Sequence, residues 1–372
     1  MLLLLIGVLQ LNLLQVFNIS YFIGKKKVIK KLVYMAVMAL LLSCSKGGVE
    51  PFSPDGESGV PVAFSPSTDW QPVSSVKSSG TKALIEDADD LIDYSISLLG
   101  NAVRGGETYP VFKNHQLQWS DAEGWHYSPL KYWIPQANYT FAAFCPYATN
   151  ESFIGSISNG TVAISGPDTA PVITITDYNT TVERSEDLLY ATVGRNNTSS
   201  ENYESVPLNF QHLLSCISFN IRNTSNTAIT EIRDIHLTGL LTTCDIEIDL
   251  NSANLINKEI DSQFFGNQRP VSGESTPFLP AAMGEDTYKP LFDCTNLTVL
   301  PQEVYKEEII LNFTAYFNGS EPVPYTLNLG SIYAVQEWEK GKKYNYNITV
   351  SSKDIIFQVT EVPWEVHKVQ LK

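Results

Sequence analysis

The sequence predicts an all-β fold. Three features lead there. Apolar and polar residues alternate with period two in many short segments. Tyr (18), Phe (17), Thr, Ser and Asn are frequent while Met (4) is rare, a bias toward strands joined by polar turns. No long stretch after residue 44 carries an apolar stripe of helical spacing. With 372 residues, 43% of them hydrophobic and 17% charged, the chain can build two cored domains and does not have a disordered composition.

The first 44 residues read as a targeting segment. Lys25, Lys26, Lys27, Lys30 and Lys31 form a basic cluster, and Leu32 to Leu42 is an apolar run of signal-core length. Leu41-Leu42-Ser43-Cys44 then has the pattern aliphatic, any residue, small residue, Cys. That pattern suits cleavage before a thiol that receives diacylglycerol, and two acyl chains make a stable anchor. Cys44 is thus the expected lipidation site. Residues 1–24 are apolar but interrupted by polar side chains. Either translation starts nearer Lys25 or this stretch is a membrane helix.

Residues 45–59 are rich in Gly, Ser and Pro and read as a flexible tether. Val60, Val62 and Phe64 alternate, so a strand follows; Pro61 cannot donate to a ladder, which marks an edge. Ile92, Tyr94, Ile96 and Leu98 alternate next. Leu117 and Trp119 face Trp125 and Tyr127 across Asp121-Ala-Glu-Gly124, a hairpin pattern. Residues 139–147 are apolar on both faces, as in a central strand. Ile173 with Ile175, and Leu188 to Tyr190, suggest two more strands.

The polar stretch 194–205 marks the expected boundary between an N-terminal sandwich (60–200) and a C-terminal sandwich (206–372). Strands are expected there at 206–210, 217–221, 246–248, 310–316, 325–329, 344–348 and 355–359. An internal echo suggests duplication. Trp133 is followed at six and eight residues by Tyr139 and Phe141, and Trp338 at the same offsets by Tyr344 and Tyr346.

Composition and motifs argue against several functions. Five of the 25 basic residues and none of the 40 acidic ones precede Cys44, so the remainder carries a net charge of −20, unsuited to nucleic acid. No Cys-x-x-Cys, His-Glu-x-x-His, Gly-x-Ser-x-Gly or P-loop occurs, so neither metal, cofactor nor enzymatic activity is expected. His212 reads as structural. Asp87-x-Asp89-Asp90 lacks a calcium-loop pattern. Cys145 and Cys244 lie in phase with apolar neighbours and read as buried thiols, with a Cys216–Cys244 disulfide as the alternative.

The chain resembles the fimbrillin (Mfa-like) family of Bacteroidetes, subunits of type V pili and related surface lipoproteins. The residues that carry the likeness are Lys131-Tyr-Trp-Ile-Pro135 leading to Phe141-Ala-Ala-Phe-Cys-Pro-Tyr147, Asp187-Leu-Leu-Tyr-Ala191, Val206-Pro-Leu-Asn-Phe-Gln-His212, Leu297-Thr-Val-Leu-Pro-Gln302, Trp338-Glu-Lys-Gly-Lys-Lys-Tyr-Asn-Tyr346 and Val362-Pro-Trp364. The resemblance implies two tandem transthyretin-like Greek-key sandwiches, export as a lipoprotein to the cell surface and outer membrane, and no catalysis. It implies other pilin or accessory subunits as partners. These assemble by strand exchange after proteolytic loss of the first strand, here Val60, Val62 and Phe64. Polymerising members are cut after Arg. No Arg precedes Arg104 here, so Lys77 and Lys82 are the candidate cleavage positions. Asp168-Thr169-Ala170 resembles the O-glycosylation motif of exported proteins in that phylum, which makes Thr169 a candidate. The alternative function is a non-polymerising adhesin that binds host or bacterial surface glycans or proteins through Trp119, Trp125, Tyr127, Tyr132 and Trp133.

Overall fold

Alternation in the sequence becomes a chain of strands. The computed structural model describes residues 59–68, 85, 88–149, 160–180, 187–196, 198, 203–224, 227, 229–260, 288–291, 297–305, 309–318, 321–332, 335–350 and 355–363. In chain order the first strands are β1 (Phe64–Thr68), β2 (Ile96–Arg104), β3 (Glu107–Ser120), β4 (Gly124–His126), β5 (Asn138–Cys145), β6 (Thr161–Ser165), β7 (Val172–Asn179), β8 (Leu189–Arg195) and β9 (Val206–His212). There follow β10 (Ser215–Asn223), β11 (Ile229–Thr238), β12 (Leu241–Ile248), β13 (Ala253–Ile260), β14 (Lys289–Pro290), β15 (Leu297–Val299), β16 (Gln302–Glu303), β17 (Ile310–Phe317), β18 (Val323–Asn328), β19 (Glu337–Trp338), β20 (Lys342–Val350) and β21 (Ile355–Pro363). The all-β expectation holds. Among the described residues the helical content is a single turn at Ala88–Leu91 and a 3-10 turn at Leu329–Ser331. Among the described residues no helix is long and apolar enough to cross a membrane.

The strands form layered sheets. A seven-stranded sheet runs β1-β9-β8-β5-β2-β3-β4, and a four-stranded sheet runs β13-β12-β7-β6. They share a core in which Leu99, Ala142 and Phe144 meet Ile173, Ile175, Tyr178, Ile246 and Ile248. A second core lies between a five-stranded sheet, β14-β10-β20-β21 with β15 beside β10, and the three-stranded sheet β11-β17-β18. Phe219, Tyr346 and Ile348 there meet Ile232, Leu311, Phe313 and Tyr325.

The chain divides differently from a single cut. Residues 196–205 connect β8 to β9, and these two pair in one sheet through Leu189↔His212 and Tyr190↔Gln211. The hairpin β12–β13 pairs with β7 through Ile246↔Ile175 and Ile248↔Ile173. The expected division into 60–200 and 206–372 therefore does not follow the sheets: the first sandwich is completed by strands from the second half. Gln302 braces this crossover. Its buried amide accepts from Leu241 N–H (2.8 Å) and donates to the carbonyls of Leu300 (2.9 Å) and Leu241 (3.2 Å), as a strand backbone would.

The hairpin at 117–127 forms as expected, with Trp119 opposite Trp125. So does the central strand β5, buried between β2 and β8. The alternation at Ile92 and Tyr94 misleads. Asp93 and Tyr94 donate backbone bonds to Asp90 and Leu91, so a local turn takes the backbone groups that a ladder needs, and the strand begins at Ile96. Cys145, Cys216 and Cys244 are buried as thiols, so no Cys216–Cys244 disulfide is formed. Burial pushes the Cys244 thiol up to about 12.

The internal echo is a repeated corner. Ile134 N–H donates to the hydroxyl of Tyr139 (2.6 Å), and Glu339 N–H donates to that of Tyr344 (2.9 Å), at the same offset after Trp133 and Trp338. Both Trp side chains are buried.

Candidate functional site

The segment Val60 to Thr68 occupies a slot with two walls. One wall is the loop at 131–133. Val62 N–H donates to Lys131 O (2.9 Å), Trp133 N–H donates to Val60 O (3.0 Å), and Pro61 faces Tyr132 in an antiparallel bridge. The other wall is β9, which β1 joins in parallel from Phe64↔Val206 to Thr68↔Phe210, with Val206 N–H donating to Ala63 O (2.8 Å). Alternate residues of a strand direct their backbone groups to opposite sides. Because Val206 faces β1, Pro207 faces away, beyond the end of the β8–β9 pairing, where its missing N–H is harmless. By the same count Pro66 directs its missing N–H to the outer edge.

Side chains seal the slot. Val62 and Phe64 are buried, while Val60 is 46% exposed. Of the three residues expected to be displaced together, two fill the core and one does not. The Phe64 ring meets Phe112 (5.5 Å), Phe141 (5.5 Å) and Tyr127 (5.9 Å), each edge to face, the geometry that aromatic quadrupoles favour. Tyr127 also reads the backbone: its hydroxyl donates to Val62 O (2.7 Å) and lies 3.2 Å from Lys131 O. Burial pushes the Tyr127 phenol up to about 12, against the opposing pull of its bond to Lys131.

The walls are tied together without the strand. Thr198, on the β8–β9 connection, donates from Oγ1 to Ile134 O (2.7 Å) and from its backbone to Ala137 O (3.0 Å), and accepts from Gln136 N–H (2.6 Å). Tyr203 stacks on Trp133 at 5.7 Å. Downstream of residues 69–84, Ile85 is buried and its N–H donates to Asp187 Oδ2 (3.3 Å). Asp187 in turn holds His212 at 2.9 Å, so His212 serves a structural pair. Chain on both sides of β1 is thus fixed by contacts that β1 does not make.

The other expected sites fare variously. Cys44, Lys77, Lys82 and Cys294 lie outside the described residues. Thr169 sits on the turn between β6 and β7, where Asn101 Nδ2 donates to its carbonyl (2.9 Å) and Lys113 pairs with the neighbouring Asp168 (2.8 Å). The aromatic cluster is split. Tyr127 and Trp133 are core residues, while Trp119 is 39% exposed and packs edge-on against Trp125 at 5.8 Å. No cluster of metal-ligating side chains occurs among the described residues.

Sequence reading missed Phe112, Gly100 and the wall strand Val206–Phe210 as parts of the slot. One signal was available. Val60-Pro-Val-Ala-Phe64 and Val206-Pro-Leu-Asn-Phe210 share the pattern Val-Pro-apolar-x-Phe, with the Pro exposed and the third and fifth residues buried in both.

The family model for fimbrillin-like proteins matches residues 82–364. No curated protein matches the chain. Among solved structures, a fimbrial protein from Bacteroides vulgatus ATCC 8482 shares 16% identity over 82% of this chain and 99% of its own, with a TM-score of 0.53. The tip fimbrial protein Mfa3 from Porphyromonas gingivalis shares 10% identity over 73% of this chain and 94% of its own, with a TM-score of 0.34. At such identities the likeness to the first is one of fold. The match of the family model over most of its length, by contrast, makes this chain a member of the fimbrillin-like family of cell-surface fimbrial and adhesion proteins.

Proposed function

We propose that the protein is a structural or accessory subunit of a cell-surface fimbria. It is exported as a lipoprotein on Cys44, reaches the outer membrane, and joins other subunits when the strand Val60 to Thr68 is cut away and replaced by a strand from a partner. The observation that carries this reading is the slot itself. Val62 and Phe64 complete a core from a segment whose covalent link to β2 and the strands beyond runs through residues 69–84, while Thr198, Tyr203 and the Asp187–His212 pair hold the surroundings independently. Backbone bonds on two sides and alternate buried side chains are the means by which an added strand binds.

The test is the N-terminus, read by intact mass, of protein from sheared surface filaments and from the membrane fraction. The reading expects a filament form that begins between Asp69 and Ala83 beside a lipidated Cys44 form. A single species that begins at lipidated Cys44 in both fractions would contradict it. That result would favour the second reading, a non-polymerising adhesin, for which the exposed Trp119 is the supporting feature. Thr169 is the proposed O-glycosylation site, and the same spectra would carry its added mass.

A further inference from the structure

The slot has a size preference that can be traced to one glycine. Gly100 lies in β2, opposite Phe112 on β3 and Phe141 on β5. A Cβ at Gly100 would stand 2.9 Å from a Phe141 ring carbon and 3.0 Å from one of Phe112, so close that the rings would have to shift. The missing side chain lets these two rings sink toward the sheet. The space above them takes the ring of Phe64, which is 5% exposed. At the neighbouring inward position Val62 is 1% exposed, and Tyr127 donates to its carbonyl. A hydroxyl that reads a carbonyl is indifferent to the side chain of the strand it holds, so discrimination falls on the ring position.

The corner echo gives an independent reason to see Phe141 as adapted to this task. In the second sandwich the equivalent residue, Tyr346, accepts from Trp338 Nε1 (2.8 Å). In the first, Phe141 has no hydroxyl, and Trp133 Nε1 is buried with no hydrogen-bond partner among the described residues. A buried unpaired donor costs about 1–3 kcal/mol. The position holds an apolar ring that borders Phe64, where a phenol like that of Tyr346 would pair with the indole.

We infer that the slot accepts an extended peptide strand that runs parallel to β9 and carries an aromatic side chain at the Phe64 position, and that Gly100 sets this preference through the depth of Phe112 and Phe141. This rests on the reading of the first strand as replaceable. Val62 asks only for a small apolar side chain, and the Pro66 position asks for no N–H, so the partner pattern is apolar, any residue, aromatic, any residue, unrestricted.

The test uses the mature chain with a site-specific protease sequence placed within residues 69–84. After cleavage it is mixed with labelled peptides that copy residues 59–68, and uptake is followed by native mass spectrometry. The copy with Phe64→Tyr should bind within about threefold of the unaltered one, and the copy with Phe64→Ala about 100-fold more weakly, the loss that a deleted buried ring implies. In a Gly100→Ala chain the order should shift, with a Phe64→Leu copy gaining on the unaltered peptide. Equal uptake of the Phe64→Ala and unaltered copies would overturn the aromatic preference and leave strand replacement standing. An unchanged order in the Gly100→Ala chain would remove Gly100 from the account. Failure of every peptide to enter the cleaved chain would overturn the inference and the strand-exchange reading together.

Discussion

Among the described strands each sandwich contains one parallel pair, and the two pairs are built differently. In the second sandwich β10 and β20 run side by side over eight positions, from Cys216↔Lys343 to Asn223↔Val350. Side chains lace them together: Ser218 donates to Asn345 (2.5 Å), Asn220 to Asn347 (3.2 Å) and Arg222 to Thr349 (2.8 Å). Both strands have further partners on their outer sides. In the first sandwich β1 and β9 pair over five positions, two of which involve Pro66 or Pro207, and β1 ends the sheet. Its cross-strand side-chain bond within the pair is the exposed Ser67 to Asn209 (2.9 Å). The second pair is fixed through its backbone and side chains along its whole length. The first is held chiefly by two buried side chains, Val62 and Phe64, and a few backbone bonds. The weaker hold on the first pair is what the proposed exchange of that strand requires.

The largest expected effect tests this directly. Phe64→Ala should lower the stability of the chain by about 3–5 kcal/mol in urea unfolding, because it empties a site lined by three rings. A loss below about 1 kcal/mol would mean that the first pair does not depend on that ring.

Alkaline pH should act on the same sandwich. Burial raises Tyr127, Tyr139 and Tyr190, each to about 12, from an ordinary 10.0. The folded form holds these protons more tightly than the unfolded one. The stability they contribute is therefore complete below pH 10 and falls as pH rises toward 12. Urea midpoints at pH 9 and pH 11 should differ for the intact chain, and by less in a Tyr190→Phe variant.

The repeated corner sharpens the comparison further. Tyr346→Phe should cost about 1–3 kcal/mol in urea unfolding, since it leaves Trp338 Nε1 buried and unpaired, the condition already present at Trp133. Tyr139→Phe and Tyr344→Phe should cost similar amounts to each other, about 1 kcal/mol, because each removes the same bond to the backbone after its Trp. The smallest effect belongs to Ser67→Ala. Its bond to Asn209 is solvent-exposed, and urea unfolding should move by no more than about 0.5 kcal/mol.

Much of this was legible in the sequence, for physical reasons that also explain what was not. Period-two alternation fixes which face of a strand is buried, so Val62 and Phe64 were readable as inward, and the apolar run at 139–147 as central. The Trp133 and Trp338 echo was readable because a local corner repeats its spacing. Alternation says nothing about which strand lies alongside. Ile246 and Ile248 would suit either sandwich, and only the structure pairs them with Ile175 and Ile173 across the boundary expected from the polar stretch at 194–205. The slot was half legible for the same reason. Its occupant announced itself through alternation and Pro61, while Gly100, Phe112 and Val206 come together only once β2, β3 and β9 have found their places. Gly100 within a strand was the one local hint, since an isolated glycine there often marks a close approach.

For the proposed exchange, the first strand must open on its own while the rest of the fold stays closed. Native-state hydrogen exchange of the uncleaved chain measures this most directly, because local openings and global unfolding give different free energies. The amides of Val62, Trp133 and Val206, whose bonds join Val60 to Ala63 with the two walls, should exchange together and clearly faster than those of β10 and β20. Exchange of both groups at one common rate, under conditions where β10 and β20 exchange only by global unfolding, would contradict it.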